Sequence, residues 1–112
     1  MDDRNTIAVV APDMGLRQSL VFALETEGFV VESFVNLRAA KVSMETVACA
    51  VIDARVLKAE EDVWLSLGRL RRKIVLLTTG ITSYADRGAA AELSTPFNGN
   101  ELIELLDHLP SP

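Results

Sequence analysis

Cysteine occurs once in these 112 residues, as Cys49, so no disulfide can close within the chain. With no signal peptide at the start, that scarcity predicts a reducing, cytoplasmic setting. Basic residues are outnumbered, with 11 Lys and Arg against 16 Asp and Glu, a net charge of −5. That balance offers no general attraction to nucleic acid or to an anionic membrane. No apolar run approaches the roughly 20 residues that a membrane-spanning helix requires. Catalytic signatures are missing as well. There is no Walker loop, glycine-rich dinucleotide fingerprint, CxxC pair, GxSxG elbow or zinc-ligand spacing, and no enzymatic activity is expected. Repeats, low-complexity tracts and linkers are absent, which predicts one domain over residues 1–112.

What the chain does hold is a regular alternation of short apolar runs and amphipathic stretches, with 49% hydrophobic residues to build a core. The runs Thr6–Val10, Phe29–Phe34, Ala48–Ile52 and Ile74–Leu77 read as strands, and Ala91–Ser94 as a weaker fifth. Between them lie helical patterns. Leu16, Leu20, Ala23 and Leu24 share one face before Gly28; Asn36 caps a short helix with Leu37, Ala40 and Met44. A helix over Ala59–Arg72 presents Val63, Leu67 and Leu70, and Ser83–Ala90 reads as a weak helical stretch. The last helix pairs Asn98 with Glu101 as a capping box and carries Leu102, Leu105, Leu106 and Leu109. Strict alternation predicts an α/β fold: a parallel sheet, doubly wound, with right-handed crossovers. Five strands in so short a chain suit the flavodoxin-like (βα)5 order 2-1-3-4-5.

Asp53 closes the third strand, directly after Ala48-Cys49-Ala50-Val51-Ile52. An unpaired buried carboxylate costs several kcal/mol, so a charge there needs a partner or a function. In open α/β sheets, ligands and chemistry gather at the carboxyl ends of the strands. Asp13 follows strand one, Thr78 follows strand four and Thr95 follows strand five. These polar residues and Asp53 are predicted to converge on one edge of the sheet. Asp13 reads first as the N-cap of the first helix and second as a substitute metal ligand.

The ordered set resembles the receiver domain of two-component response regulators, most nearly the nitrogen-fixation and LuxR-type regulators. The resemblance covers essentially the whole chain. Its best segments are Arg17-Gln18-Ser19-Leu20 through Glu27-Gly28-Phe29, the strand ending at Asp53 with Arg55 two residues on, and Thr95-Pro96-Phe97. It implies that Asp53 matches the aspartate phosphorylated by a histidine kinase, and that Thr78 matches the hydroxyl position. It also implies several departures. The acidic pair that holds magnesium falls on Ala11 and Pro12, leaving Asp13 and Asp53 as the carboxylates for any such ion. The lysine position is Thr95, the Met-Pro pair reads Val56-Leu57, a later glycine reads Glu61, and the aromatic switch position falls on Glu92. Helix four is about five residues short. Losing one charge-stabilising contact commonly costs about 3 kcal/mol in such a reaction. The resemblance therefore implies an atypical receiver with a cation-poor pocket, acting in a two-component phosphorelay mainly as a binding surface.

The partner implied is a sensor histidine kinase or another phosphorelay protein, docked on the first helix, Leu16 to Glu27, through Arg17, Gln18 and Glu25. The alternative is a phosphoacceptor with Asp53 modified and magnesium as cofactor; the third reading is a homodimer. Cys49 reads as a small core residue. His108 sits where a helix dipole favours positive charge. Trp64 lies off the Val63-Leu67-Leu70 stripe, either packed at a helix edge or exposed as a partner anchor. Arg69, Arg71, Arg72 and Lys73 form a basic cluster, read as a solvated helix end or a docking patch.

Overall fold

Apolar runs with small and β-branched residues make strands because their side chains fit a pleated surface covered on both sides. The computed structural model describes residues 5–78, 91–94 and 99–107. Five strands, β1 (Thr6–Val10), β2 (Val30–Phe34), β3 (Cys49–Asp53), β4 (Ile74–Thr78) and β5 (Ala91–Ser94), form one sheet. Its order is β2-β1-β3-β4-β5 and every pairing is parallel, as the alternation predicts. The register sets Val10 opposite Ile52 and Asp53 opposite Leu77. β3 takes in Asp53 and starts at Cys49, one residue later than expected at each end. The helix expected over Ser83–Ala90, with Thr95, Asn98, His108 and Leu109, lies outside the described residues.

Alternation along each strand divides the core in two. Ile7, Val9, Cys49, Val51, Val75 and Leu77 fall in one layer with Leu20 and Leu24 of α1 (Met14–Thr26) and Leu102 and Leu106 of α5 (Gly99–Asp107). Ala8, Val10, Ala50, Ile52 and Leu76 fall in the other. That second layer holds Leu37 and Ala40 of α2 (Leu37–Ala40), then Met44 and Trp64. Asp13 caps α1 by accepting the Leu16 N–H on Oδ2 at 2.8 Å, and Gly28, at φ 95°, turns the chain out of it.

The helix expected over Ala59–Arg72 is instead three pieces: α3 (Val56–Ala59), α4 (Glu61–Ser66) and a 3₁₀ turn over Gly68–Lys73. Two local causes account for the breaks. Glu60 leaves helical geometry, at φ −128° and ψ 40°, and Gly68 takes φ 55°, a left-handed conformation that ends a helix readily only at glycine. Trp64 lies on α4 and turns inward. It is neither at an edge nor exposed but fully buried, with the Arg71 guanidinium 5.9 Å from its ring centroid. Small residues in the same layer, Ala8, Ala40, Ala50 and Ala54, leave the volume that so large a ring requires.

Glu60 also explains how α2 forms at all. Four helical residues are too few to be stable alone. The Glu60 carboxylate accepts the N–H groups of Leu37 at 2.7 Å and Arg38 at 2.9 Å, while Asn36 Oδ1 accepts that of Ala39 at 2.8 Å. An exposed ion pair, Arg38 to Asp62 at 3.1 Å, ties the same two segments. Its guanidinium holds the Asp62 carboxyl below the usual carboxylate range. Glu60→Ala is expected to lower the unfolding free energy by about 1–2 kcal/mol, measured by urea denaturation. Glu60→Gln, which keeps one acceptor oxygen, should recover part of that loss.

Candidate functional site

A carboxylate at the end of a buried strand must find donors close by, and the chain supplies them two residues later. Asp53 is 3% exposed at the carboxyl end of β3. Its Oδ1 accepts the backbone N–H of Arg55 at 3.0 Å, the local turn that aspartate side chains favour. That turn brings the guanidinium back over the same carboxylate. Arg55 Nε donates to Oδ2 at 2.9 Å and to Oδ1 at 3.2 Å, and Nη2 donates to Oδ2 at 2.6 Å. Both oxygens are thus met by a planar fork of charge-assisted bonds. The Arg55 side chain remains 63% exposed on its outer side. Its pKa is raised above the ordinary arginine value, first by the hydrogen bond to Asp53, then by that carboxylate's charge, with a smaller contribution from Asp13.

The expected pocket poor in cations is therefore corrected: the lysine position is neutral, but an arginine has closed on the aspartate. The signal was present as an Asp followed at i+2 by Arg at a strand end. Spacing alone does not show it, because a flexible guanidinium two residues on can point to solvent as readily as fold back.

The sheet brings Asp53 and Thr78 to the same edge on adjacent strands. Thr78 is buried, and its hydroxyl lies 3.2 Å from the Ser94 hydroxyl at the end of β5. Asp13 follows β1 at that edge but is exposed, with Oδ2 engaged in capping Leu16. Ala11 and Pro12 follow directly on the Val10–Ile52 pair and carry no side-chain oxygen. Magnesium seeks an octahedral shell of oxygens, one or two of them from uncommitted carboxylates. Here one carboxylate is forked by Arg55 and the other caps a helix, so this donor set does not fit the ion. Among the described residues, no group of three or more His, Cys, Asp or Glu is placed to hold a metal.

The docking residues on α1 divide. Gln18 and Glu25 are exposed. Arg17 is half-buried and not free as expected, because its Nη1 donates to the Ala11 carbonyl at 2.8 Å and the Pro12 carbonyl at 3.3 Å. The same helix exposes two large apolar side chains that sequence reasoning passed over, Met14 at 60% and Phe22 at 74%. Met14, Gln18 and Phe22 follow at steps of four, so they share one face.

The basic cluster does not survive as a unit. Arg69 and Arg72 are exposed, Arg71 lies over the Trp64 ring at 5.9 Å, and Lys73 is buried with its Nζ donating to the Val47 carbonyl at 2.7 Å. Burial lowers the Lys73 pKa. Burial likewise pushes the Cys49 thiol up to about 12, against the nearby Lys73 charge, so Cys49 is an inert core residue. No described helix is long and apolar enough to cross a membrane.

The chain is similar over its whole length to known proteins. No protein-family model matches the chain. The transcriptional regulator protein FixT of Rhizobium meliloti (strain 1021) is 34% identical over 110 residues, which span 97% of this chain and 96% of that protein. Among solved structures, a response regulator signal receiver domain from Bermanella marisrubri superposes with a TM-score of 0.78 at 23% identity, covering 94% of this chain and 97% of that one. The FixJ-N crystal structure gives 0.76 at 23% identity with 100% of both chains covered. Chemotaxis response regulator CheY4 of Vibrio cholerae gives 0.73 at 22% identity, covering 94% of this chain and 98% of that one.

Arg55→Ala removes the fork and leaves a buried carboxylate with one backbone donor. It is expected to cost about 1–3 kcal/mol of stability by chemical denaturation, and Arg55→Lys, a point charge without the fork, should restore less than half of that. Native-state labelling of Cys49 with a thiol reagent at pH 8 should be negligible until denaturant is added, because at a pKa of about 12 only about one thiol in ten thousand is ionised there.

Proposed function

The chain belongs to the family of response-regulator receiver domains, and from that premise we propose that it acts by protein–protein binding, docking on a sensor histidine kinase or another phosphorelay component. Asp53 then serves as a structural carboxylate and not as a phosphoacceptor. One observation carries this reading: both Asp53 oxygens are committed to Arg55. A nucleophilic carboxylate needs a free lone pair and a cation that follows the transferring oxygens, as phosphoryl transfer is governed by positioning and charge. Neither Ala11, Pro12 nor the neutral Thr95 position supplies that help.

The exposed face of α1 supports a docking role. An apolar pair, Met14 and Phe22, flanking polar Gln18 is the composition of a small interface centre with a polar surround. Occupying a kinase's receiver-docking surface would hold that kinase off its own substrate. FixT is named a transcriptional regulator. In this chain, with a net charge of −5, such regulation is exerted through the signalling protein it binds and not by contact with DNA.

The burial of Asp53 beside Thr78, at the edge where receivers are modified, favours one second reading, a phosphoacceptor. In that reading an Asp53 oxygen attacks phosphorus as the bond to the donor's leaving group breaks. The two readings separate in one set of measurements. Affinity for a panel of purified sensor histidine kinases is expected to reach the micromolar range or better and to fall at least about tenfold in Phe22→Glu and in the double variant Gln18→Glu with Glu25→Lys. Unchanged affinity rejects the α1 face. Incubation with a small acyl-phosphate donor and magnesium should leave the intact mass unchanged; a phosphoryl gain that Asp53→Asn abolishes would establish the second reading instead.

A further inference from the structure

A carboxylate buried at the edge of a sheet demands a cation, and this chain carries its own. We propose that Arg55 is the resident cation of the pocket: its guanidinium takes the charge-balancing place of a divalent ion, so the pocket is built and kept without metal. The proposal rests on the reading of Asp53 as a structural carboxylate in a docking domain, and it names what balances that charge.

Asp53 is too buried to stand uncompensated. Each of its oxygens already carries two N–H donors, from the Arg55 backbone and Nε on Oδ1 and from Nε and Nη2 on Oδ2. An entering ion would have to break charge-assisted bonds before making its own. It would also find few further ligands, since Ala11 and Pro12 have no side-chain oxygen and Asp13 holds the Leu16 N–H. The charge of Asp13 acts on Arg55 instead, helping to keep the guanidinium protonated. Guanidinium and metal therefore compete for one carboxylate. The guanidinium is tethered two residues away and is present at high effective concentration, while the ion is dilute. The backbone turn onto Oδ1 aims the side chain, so the geometry assembles with the fold and needs no ligand to order it.

The test is a magnesium chloride titration of the full chain, followed by amide and arginine Nε–H NMR against matched potassium chloride. In the wild type, the Arg55 Nε–H resonance and the amides of Asp53 to Arg55 are expected to stay in place at millimolar magnesium. A saturable shift of these signals overturns the proposal. A second arm restores the acidic pair, Ala11→Asp with Pro12→Asp, with and without Arg55→Ala. The restored pair should bind magnesium at least about tenfold more tightly once Arg55 is gone, and equal affinity in the two backgrounds overturns the proposal. Where a variant loses its dispersed spectrum, the wild-type titration decides alone. The metal readout is separate from partner binding. Failure to dock on any kinase rejects the proposed function without moving these signals, whereas saturable magnesium binding by the wild type rejects the cation assignment without touching affinity for a kinase.

Discussion

The fork between Asp53 and Arg55 is the interaction on which the functional edge of this molecule depends. A parallel sheet covered on both faces leaves little water at the carboxyl end of its central strand, so a carboxylate there must be balanced from nearby. The chain balances it with the shortest covalent reach available, a guanidinium two residues on. Because that partner is internal, the pocket's charge is settled when the chain folds. The residues of a receiver that would bring metal and phosphate to the same carboxylate are Ala11, Pro12 and Thr95 here, and none brings charge.

The rest of the fold serves to hold that edge in place. Two apolar layers, divided by the alternation of strand residues, clamp the sheet from both sides. On one side the layer holds Trp64 together with the small Ala8 and Ala50, which lie opposite each other on adjacent strands. The same side has short helices that could not stand alone, and Glu60 compensates by capping α2 with its carboxylate while breaking the helix in which it was expected to lie. Glu60 thus ends α3 with its backbone and caps the start of α2 with its carboxylate, while Trp64 on α4 lies buried.

The same edge also presents an exposed helix face. Met14 and Phe22 stand exposed on α1, the element that begins at the same sheet edge. Arg17, by contrast, is folded back on the carbonyls of the preceding turn and so steadies the start of that helix. The family resemblance and the solved receiver structures agree on the scaffold. On that scaffold the buried aspartate at the end of β3 is already paired with Arg55.

Much of the fold was legible in the order of residues. Alternating apolar runs and helical stripes determined five parallel strands, their order and the edge at which Asp53, Asp13 and Thr78 lie, because periodicity is a local property written directly into the chain. Asp13 and Asn36 were legible as caps for the same reason. The broken helix was not, since Glu60 left it for donors at Leu37 and Arg38, far away in sequence. Nor was the burial of Trp64 and Lys73, which depends on volume and on a carbonyl supplied by a neighbouring strand connection. The chain by itself determined which strand would end in a carboxylate. Only the tertiary structure decided who neutralises it, because that choice turns on where a flexible guanidinium comes to rest once water has been excluded from one side of it.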